Sequence, residues 1–277
     1  MYNLLYFYQH IPYYLNPVAF SVFGLPVDWY SLMYLVGFWV VYLLLNYRIR
    51  KKENLKNTLL DLMLAVSVGL LIGGRLGYVL FYNLAYYWQN PLAIVSPYDA
   101  VTHQFIGIFG MSYHGAFVGA LVAGWIYIKI EKLNFWHWAN FMAPAIPAGY
   151  FFGRIGNFIN GELYGRATDK FWGMYFPADP SGILRHPSEL YEAVTEGLFL
   201  FLILWPLRNS QKYKDKLFAF YIIGYSVARM AVEFFREPDI QVGYLFFGLT
   251  LGQILSLGML PFGFYLIFIS RKEKKVV

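Results

Sequence analysis

Seven stretches of about 17–25 mostly apolar residues recur along the sequence, and each is long enough to cross the hydrocarbon core of a bilayer as a helix. Only 14% of the residues are charged and 58% are hydrophobic, whereas soluble domains have about 25% charged residues. This composition excludes a soluble globular fold, and it also excludes disorder, which requires low hydrophobicity and high charge. The predicted spans are 29–47, 59–82, 112–130, 135–152, 190–207, 217–235 and 245–269.

The sequence therefore predicts an all-α polytopic membrane protein, with residues 1–277 forming a single integral membrane domain. The fourth span is the weakest, because Pro144 and Pro147 interrupt it. Neighbouring helices can satisfy the backbone groups that such prolines leave free.

The basic residues indicate the orientation of the chain. Clusters of Lys and Arg at 48–56, 129–132, 208–216 and 271–275 follow the first, third, fifth and seventh spans. By the positive-inside rule, the C-terminus is cytoplasmic and the N-terminus faces out. The outward loops, 83–111 and 153–189, are expected to form a small cap. The clusters of basic residues explain the net charge of +6, and nucleic acid is not expected as a partner.

The chain contains no cysteine. Neither a disulfide framework, nor a thiolate zinc site, nor a nucleophilic cysteine can therefore belong to it. No His, Asp and Glu grouping has the spacing of metal ligands, so we expect neither a metal nor another cofactor.

Ionisable side chains within spans are costly and are functional candidates by default. The predicted topology places these groups in the outer half of the bilayer. A transporter would instead gather its polar groups near the midplane. This distribution predicts a site that is reached from the outer leaflet. The polar residues concerned are Tyr30, Arg75, His114, Arg154, Glu192, Arg229, Glu233 and Arg236.

Structural explanations compete with these functional ones. Arg229 and Glu233 are four residues apart and can neutralise one another on one helix face. Gly69, Gly73 and Gly77, which flank Arg75, have the spacing of a helix-packing ridge. A single interfacial histidine such as His114 is more often a structural hydrogen-bonding group than a base.

Residues 153–166, GRIGNFINGELYGR, form the most unusual stretch. Four glycines alternate with Arg154, Asn157, Glu162 and other polar residues, and Asn160-Gly161 is a turn pair. Glycines allow close backbone approach, while guanidinium and amide groups supply hydrogen-bond donors. We expect a loop that surrounds an anionic, oxygen-rich group at the membrane edge.

As a string, this stretch resembles the signature of the prolipoprotein diacylglyceryl transferases, enzymes of the bacterial inner membrane. Further matching segments extend the resemblance over nearly the whole chain. In one departure, Gly115 is followed by Ala116, where the family usually has a second glycine. The other segments are WYSLMYL from Trp29, GGRLGYVLFY from Gly73, MSYHGA from Met111, HPSELYEA from His186 and RMAVEFFREPD from Arg229.

The resemblance implies transfer of the diacylglyceryl group of phosphatidylglycerol to the lipobox cysteine thiol of an exported prolipoprotein. A thioether forms and glycerol 1-phosphate leaves. The nucleophilic sulfur would arrive with the peptide, consistent with the absence of cysteine here. An outer-leaflet site suits a substrate that is modified after export begins.

Two chemical demands assign roles to the candidate residues. A thiol with a pKa of about 8.5 needs deprotonation, and His114 is the candidate general base, although it could instead hold a headgroup hydroxyl. The departing phosphate needs positive charge, for which Arg154 and Arg229 are the candidate clamps. The other residues expected to bind or support the phosphatidylglycerol headgroup are Asn157, Tyr30, Gly161, Arg75 and Arg236, with Glu162, Glu192 and Glu233 orienting the arginines.

Three other functions compete with this interpretation. A transporter or lipid scramblase would need a polar path to the cytoplasmic side, and the inner halves of the spans have almost no ionisable groups apart from Asp61. A lipid-binding scaffold would explain the arginines but not a histidine facing them. An acyltransferase that uses the same lipid would give a product of different mass.

Overall fold

The computed structural model describes residues 2–22, 24–50, 54–82, 84–96, 112–238 and 243–273. Its contacts divide the chain into two units, Met1–Leu45 with Trp136–Val277, and Asn46–Phe135. The helices are α1 (Tyr2–Gln9), α2 (Ile11–Tyr14), α3 (Trp29–Ile49), α4 (Asn54–Tyr82), α5 (Leu84–Gln89), α6 (Tyr113–Ile130), α7 (Phe135–Met142), α8 (Ile146–Asn160), α9 (Ser188–Glu192), α10 (Leu200–Leu207), α11 (Leu217–Val232) and α12 (Leu251–Glu273).

Shorter elements complete the described chain. Two strands, β1 (Val18–Val22) and β2 (Leu25–Asp28), form an antiparallel hairpin just before α3. A π-helical segment, Ala193–Phe199, joins α9 to α10. Short 3₁₀ turns occupy Pro91–Ile94 and Phe246–Gly248.

Within the described residues, four helical stretches are long and apolar enough to cross a membrane: Trp29–Ile49, Leu55–Phe81, Ser188–Leu207 and Leu251–Ile269. Gly115–Ile130 is a shorter apolar helix. Many large apolar side chains on these helices are exposed, among them Trp39, Leu71 and Phe264, as expected of helix faces that contact lipid. The prediction of a helical membrane protein is confirmed; seven spans and the direction of insertion remain predictions.

The predicted span 135–152 is two helices. α7 ends at Met142, and α8 begins at Ile146 after a turn that contains Pro144. Pro147 lies in the first turn of α8, where the missing N–H of proline has no intrahelical partner to lose. α8 then continues to Asn160, so the first half of the predicted 153–166 loop is wrong: it is helix, and the loop begins at Gly161.

In the Asn46–Phe135 unit, α4 and α6 pack through their glycines. A Cβ atom built on Gly77 would lie 2.7 Å from the Cα atom of Gly115. A Cβ atom on Gly73 would lie 2.6 Å from the Cα atom of Gly119. The backbones approach too closely for any side chain, which confirms the packing explanation for this ridge.

In the other unit, residues 161–187 form an extended pad held by backbone bridges. Gly165 pairs with Arg236, and Arg185 pairs with both Ala167 and Met174. Met174 and Phe176 of the pad pack with Phe158 of α8 in a small buried core. α1 attaches to its edge, where the Tyr8 hydroxyl donates to the carbonyl of Trp172 at 3.0 Å. The pad therefore connects the end of α8 with the end of α11.

Candidate functional site

α8 supplies the first two site residues. Arg154 and Asn157 are three residues apart, which places them on one helix face. The Nη1 of Arg154 donates to the Oδ1 of Asn157 at 3.1 Å, and the Nδ2 of Asn157 donates to Glu162 at 2.9 Å. This chain of contacts links the last two turns of α8 to the pad.

Gly161 ends α8 in a left-handed conformation, with φ 69° and ψ 24°. Its N–H donates to the carbonyl of Phe158, and the N–H of Glu162 donates to the carbonyl of Asn157. These two bonds define a Schellman motif, in which a residue without Cβ is favoured at the left-handed position. The turn pair predicted at Asn160-Gly161 is thus a helix terminus, and it carries the Glu162 carboxylate back to Asn157.

The second site element runs from α9 into the π-helical segment. Glu192 and Glu196 are four residues apart and almost completely buried, with 1% and 0% of their surface exposed. A π-helical turn inside a longer helix is rare and is often found at functional sites. Two carboxylates buried on one helix are costly unless cations compensate them.

Three arginines surround the carboxylate of Glu192. The Nε of Arg154 lies 2.6 Å from one oxygen, the Nη1 of Arg229 lies 3.0 Å from the other, and the Nε of Arg236 lies 3.5 Å from that same second oxygen. The two predicted clamps thus sit on the two oxygens of one carboxylate. Residues from α8, α9, α11 and the segment just after α11, 82 positions apart at the extremes, converge here.

Arg229 has a second carboxylate partner at the end of α11. The Nη2 of Arg229 lies 2.9 Å from Glu233, which confirms the predicted pairing of residues four apart. Thr250 donates to the same Glu233 carboxylate at 2.9 Å. A Cβ atom on Gly252 would lie 2.7 Å from a Glu233 oxygen. The start of α12 therefore presses on Glu233 and limits where it can move.

Tyr30 lies beside this cluster. Its backbone packs on α8, where a Cβ atom on Gly156 would lie 3.2 Å from the Tyr30 Cα. The Tyr30 hydroxyl donates to the hydroxyl of Tyr34 at 3.2 Å. The structure thus places the first turn of α3 next to the functional face of α8.

Two residues of the cluster were missed by sequence reasoning. The Tyr150 hydroxyl accepts from the Nε of Arg154 at 2.8 Å and donates to Glu196 at 2.5 Å. Glu196 also lies 3.8 Å from the Nη1 of Arg229. The i, i+4 spacings of 150 with 154 and of 192 with 196 were the available signals.

One guanidinium of the cluster is only partly occupied by its neighbours. Among the described residues, the Nη2 of Arg154 donates no hydrogen bond, while Nε and Nη1 are held by neighbours. The Arg154 side chain is 15% exposed. An arginine fixed on one edge and open on another suits bidentate recognition of phosphate.

Two predicted site residues belong to the Asn46–Phe135 unit. Arg75 donates to the backbone carbonyls of Ile94 and Ala93, both at 2.7 Å, and its guanidinium lies 5.0 Å from the Tyr87 ring centroid. His114 is in the first turn of α6, after the N-cap Ser112. The side chain of His114 lies outside the described residues.

The pad carries an ionic contact of its own. Arg185 lies 2.7 Å from Asp179 and 3.3 Å from Glu237. The Arg185 guanidinium and the Ser181 hydroxyl lower the pKa of Asp179 to about 2. This contact stabilises the turn before α9. Among the described residues, no group of three His, Asp or Glu side chains is placed to hold a metal ion.

The apolar helices and the buried arginine–carboxylate cluster define a polytopic helical membrane protein with a buried ionic site. Residues 17–269 match the family model for prolipoprotein diacylglyceryl transferase. The chain is 44% identical to the phosphatidylglycerol–prolipoprotein diacylglyceryl transferase of Chlorobaculum tepidum, over 96% of this chain and 93% of that one. It is 43% identical to the protein of the same name from Campylobacter lari, over 97% and 98%. The chain belongs to the prolipoprotein diacylglyceryl transferase family and is a transferase.

Proposed function

We propose that this protein transfers the diacylglyceryl group from phosphatidylglycerol to the lipobox cysteine of prolipoproteins, and that Arg154 and Arg229 bind the phosphate. The family membership supports the reaction. The observation that carries the residue assignment is the convergence of both arginines on the two oxygens of Glu192. Phosphatidylglycerol and the prolipoprotein signal peptide are then the two substrates, and no cofactor is needed.

The reaction displaces phosphate from a glycerol carbon. The thiolate sulfur attacks the carbon of the diacylglyceryl group that bears the phosphate ester, a carbon–sulfur bond forms, and the carbon–oxygen bond breaks. The electron pair of that bond stays with the departing glycerol 1-phosphate, whose charge increases. In a site with little water, uncompensated charge is costly, so cations held in advance accelerate this step.

The carboxylates around the arginines have a positioning role in this proposal. Glu192 and Glu233 hold three guanidinium groups that would otherwise repel one another in a buried site. Because the arginines are already fixed, binding of phosphate requires little reorganisation. Asn157 and Glu162 orient Arg154 from the pad side, with Gly161 setting the turn, while Tyr30 offers a hydroxyl to the headgroup.

His114 is the proposed general base for the thiol. An unperturbed histidine has a pKa near 6.5 and can accept a proton at neutral pH. Such help increases the rate by roughly 10²–10⁴-fold. The assignment is supported by the resemblance of the MSYHGA segment and by the position of His114 in the first turn of α6. Arg75, which belongs to the family segment GGRLGYVLFY, is proposed to support the headgroup.

The location proposed for the reaction is the outer leaflet of the bacterial inner membrane. The absence of Lys and Arg from residues 1–27 and 83–111 supports it. The clusters of basic residues that follow alternate spans support it as well. In this orientation the pad, residues 161–187, covers the site on the outer side of the membrane.

The test is a reconstituted transfer reaction. Purified protein is mixed with phosphatidylglycerol and a lipobox peptide, and both glycerol phosphate and peptide mass are measured. A matched peptide with Ser in place of the lipobox Cys should give no product. A peptide that gains a fatty acyl chain instead of diacylglycerol would overturn the proposal.

Two variants separate the proposed roles. Arg154→Ala should abolish transfer and Arg154→Lys should restore little, because lysine keeps the charge but lacks the planar fork. Near-normal turnover of Arg154→Ala would remove the clamp assignment. His114→Gln should lower the rate most at neutral pH; an unchanged rate there would exclude the base role while leaving the reaction itself intact.

A further inference from the structure

Tyr150 and Glu196 connect the two predicted clamps by a route that bypasses Glu192. The Tyr150 hydroxyl accepts from Arg154 and donates to Glu196, and Glu196 faces the Nη1 of Arg229 at 3.8 Å. The ring of Tyr150 also stacks under the Arg154 guanidinium, whose carbon lies 4.8 Å from the ring centroid. The hydroxyl therefore determines where the Nε edge of Arg154 points.

The backbone around this contact is built for close approach. Gly197 follows Glu196, and Phe151 follows Tyr150. A Cβ atom on Gly197 would lie 2.8 Å from the Phe151 Cβ, so any larger residue would separate α8 from the π-helical segment. Because the helices meet so closely here, a hydroxyl can reach the fully buried Glu196.

Two carboxylates of one continuous helical stretch serve the same cluster. Glu192 ends α9, and Glu196 lies within the segment Ala193–Phe199. Both carboxylates contact Arg229, and both lie near the Tyr150 hydroxyl, at 3.3 and 2.5 Å. Glu192 holds the arginines directly, whereas Glu196 holds Arg154 only through the hydroxyl.

We propose that Tyr150 and Glu196 form a positioning pair that fixes the angle of the Arg154 guanidinium relative to Arg229. This proposal rests on the proposed function, since it concerns how the two arginines meet the departing phosphate. Neither residue contacts the lipid. Both act by limiting the rotation of the Arg154 guanidinium.

The consequences for single substitutions follow from the geometry. Tyr150→Phe keeps the ring beneath Arg154 and removes only the hydroxyl. Glu196→Gln keeps the shape and removes the charge. In either variant, Arg154 retains Glu192 but gains freedom to rotate. Loss of a hydrogen bond to a charged group lowers an equilibrium or rate constant by about 10- to 100-fold. We expect kcat to fall by this factor, with a smaller change in KM for phosphatidylglycerol.

The test measures kcat and KM for wild type, Tyr150→Phe, Glu196→Gln and the double variant, together with the thermal midpoint of each. A single shared bond predicts that the double variant loses about as much kcat as either single variant. Tyr13→Phe and Glu237→Gln are matched controls outside the cluster; Tyr13 is 53% exposed, and the Glu237 side chain is 46% exposed. Both should retain wild-type kcat.

Three results would overturn the pairing. The first is a Tyr150→Phe kcat within twofold of wild type, and the second is a double variant whose losses multiply. The third is a lower thermal midpoint with an unchanged kcat, which indicates a merely structural contact. If Glu196→Gln cannot be purified, Tyr150→Phe decides alone, because it deletes one oxygen. Failure of the proposed function is distinguishable, since wild type would then make no diacylglyceryl peptide.

Discussion

Glu192→Gln is the most informative perturbation of the cluster. The substitution preserves the size of the side chain and replaces one acceptor oxygen with an NH₂ group, which can only donate. Arg154 and Arg229 lie 2.6 and 3.0 Å from the two carboxylate oxygens, so one of them must face the new NH₂ group. Arg236, at 3.5 Å, loses its share of the charge as well.

The magnitude follows from the burial of the group. Removing one partner from a buried ion pair costs about 3–5 kcal/mol, and Glu192 is 1% exposed. For a chain of this size, about 2–4 °C per kcal/mol gives a lower thermal midpoint by roughly 6–20 °C. Displacement of a binding group by about 1 Å costs on the order of 10²-fold in rate, and here two clamps are displaced together.

The assay is the reconstituted transfer reaction with a parallel thermal-unfolding measurement in the same detergent. We expect kcat/KM to fall by at least about 10²-fold at temperatures well below the lowered midpoint. Glu237→Gln, which changes a half-exposed carboxylate beside Arg185, controls for the substitution itself. Turnover within threefold of wild type, with an unchanged midpoint, would refute the view that Glu192 organises the arginines.

Three further predictions concern the surrounding structure. Gly161→Ala should lower the thermal midpoint, because an L-residue at φ 69° costs about 1 kcal/mol, and Gly161→Asn should cost less; equal midpoints for all three would contradict the Schellman interpretation. Because the lowered pKa of Asp179, about 2, lies below its unfolded value of about 3.9, its contribution is complete above about pH 4 and is lost as the pH falls toward 2. The midpoint difference between wild type and Asp179→Asn should therefore shrink over that range, and a constant difference would exclude the Arg185 contact as its cause. Gly119→Leu should destabilise the contact between α4 and α6, measured by proteolysis of the intact protein, whereas Leu121→Ala on an exposed position should not.

The prediction of the fold failed at two points where the backbone conformation cannot be inferred from composition. The 135–152 stretch is mostly apolar, and its hydrophobicity is the same whether one helix or two contain it. The turn at Pro144 divides it, and the Schellman motif at Gly161 decides that α8 continues through residues usually found in loops. Both are local conformations whose stability depends on the packing of the flanking helices.

For the candidate site, too, the sequence indicated some features and the structure added the others. Apolar length identified a membrane protein, and the arginines and the 153–166 string indicated the residues of an anion site, because these properties belong to side chains regardless of their neighbours. The arrangement of Arg154 and Arg229 around one carboxylate, and the participation of Tyr150 and Glu196, depend on distances between helices far apart in the chain. Sequence by itself determined which groups were too costly to bury alone; only the tertiary structure decided which of them compensate one another, since that depends on where the packed helices bring their charges within a few ångströms.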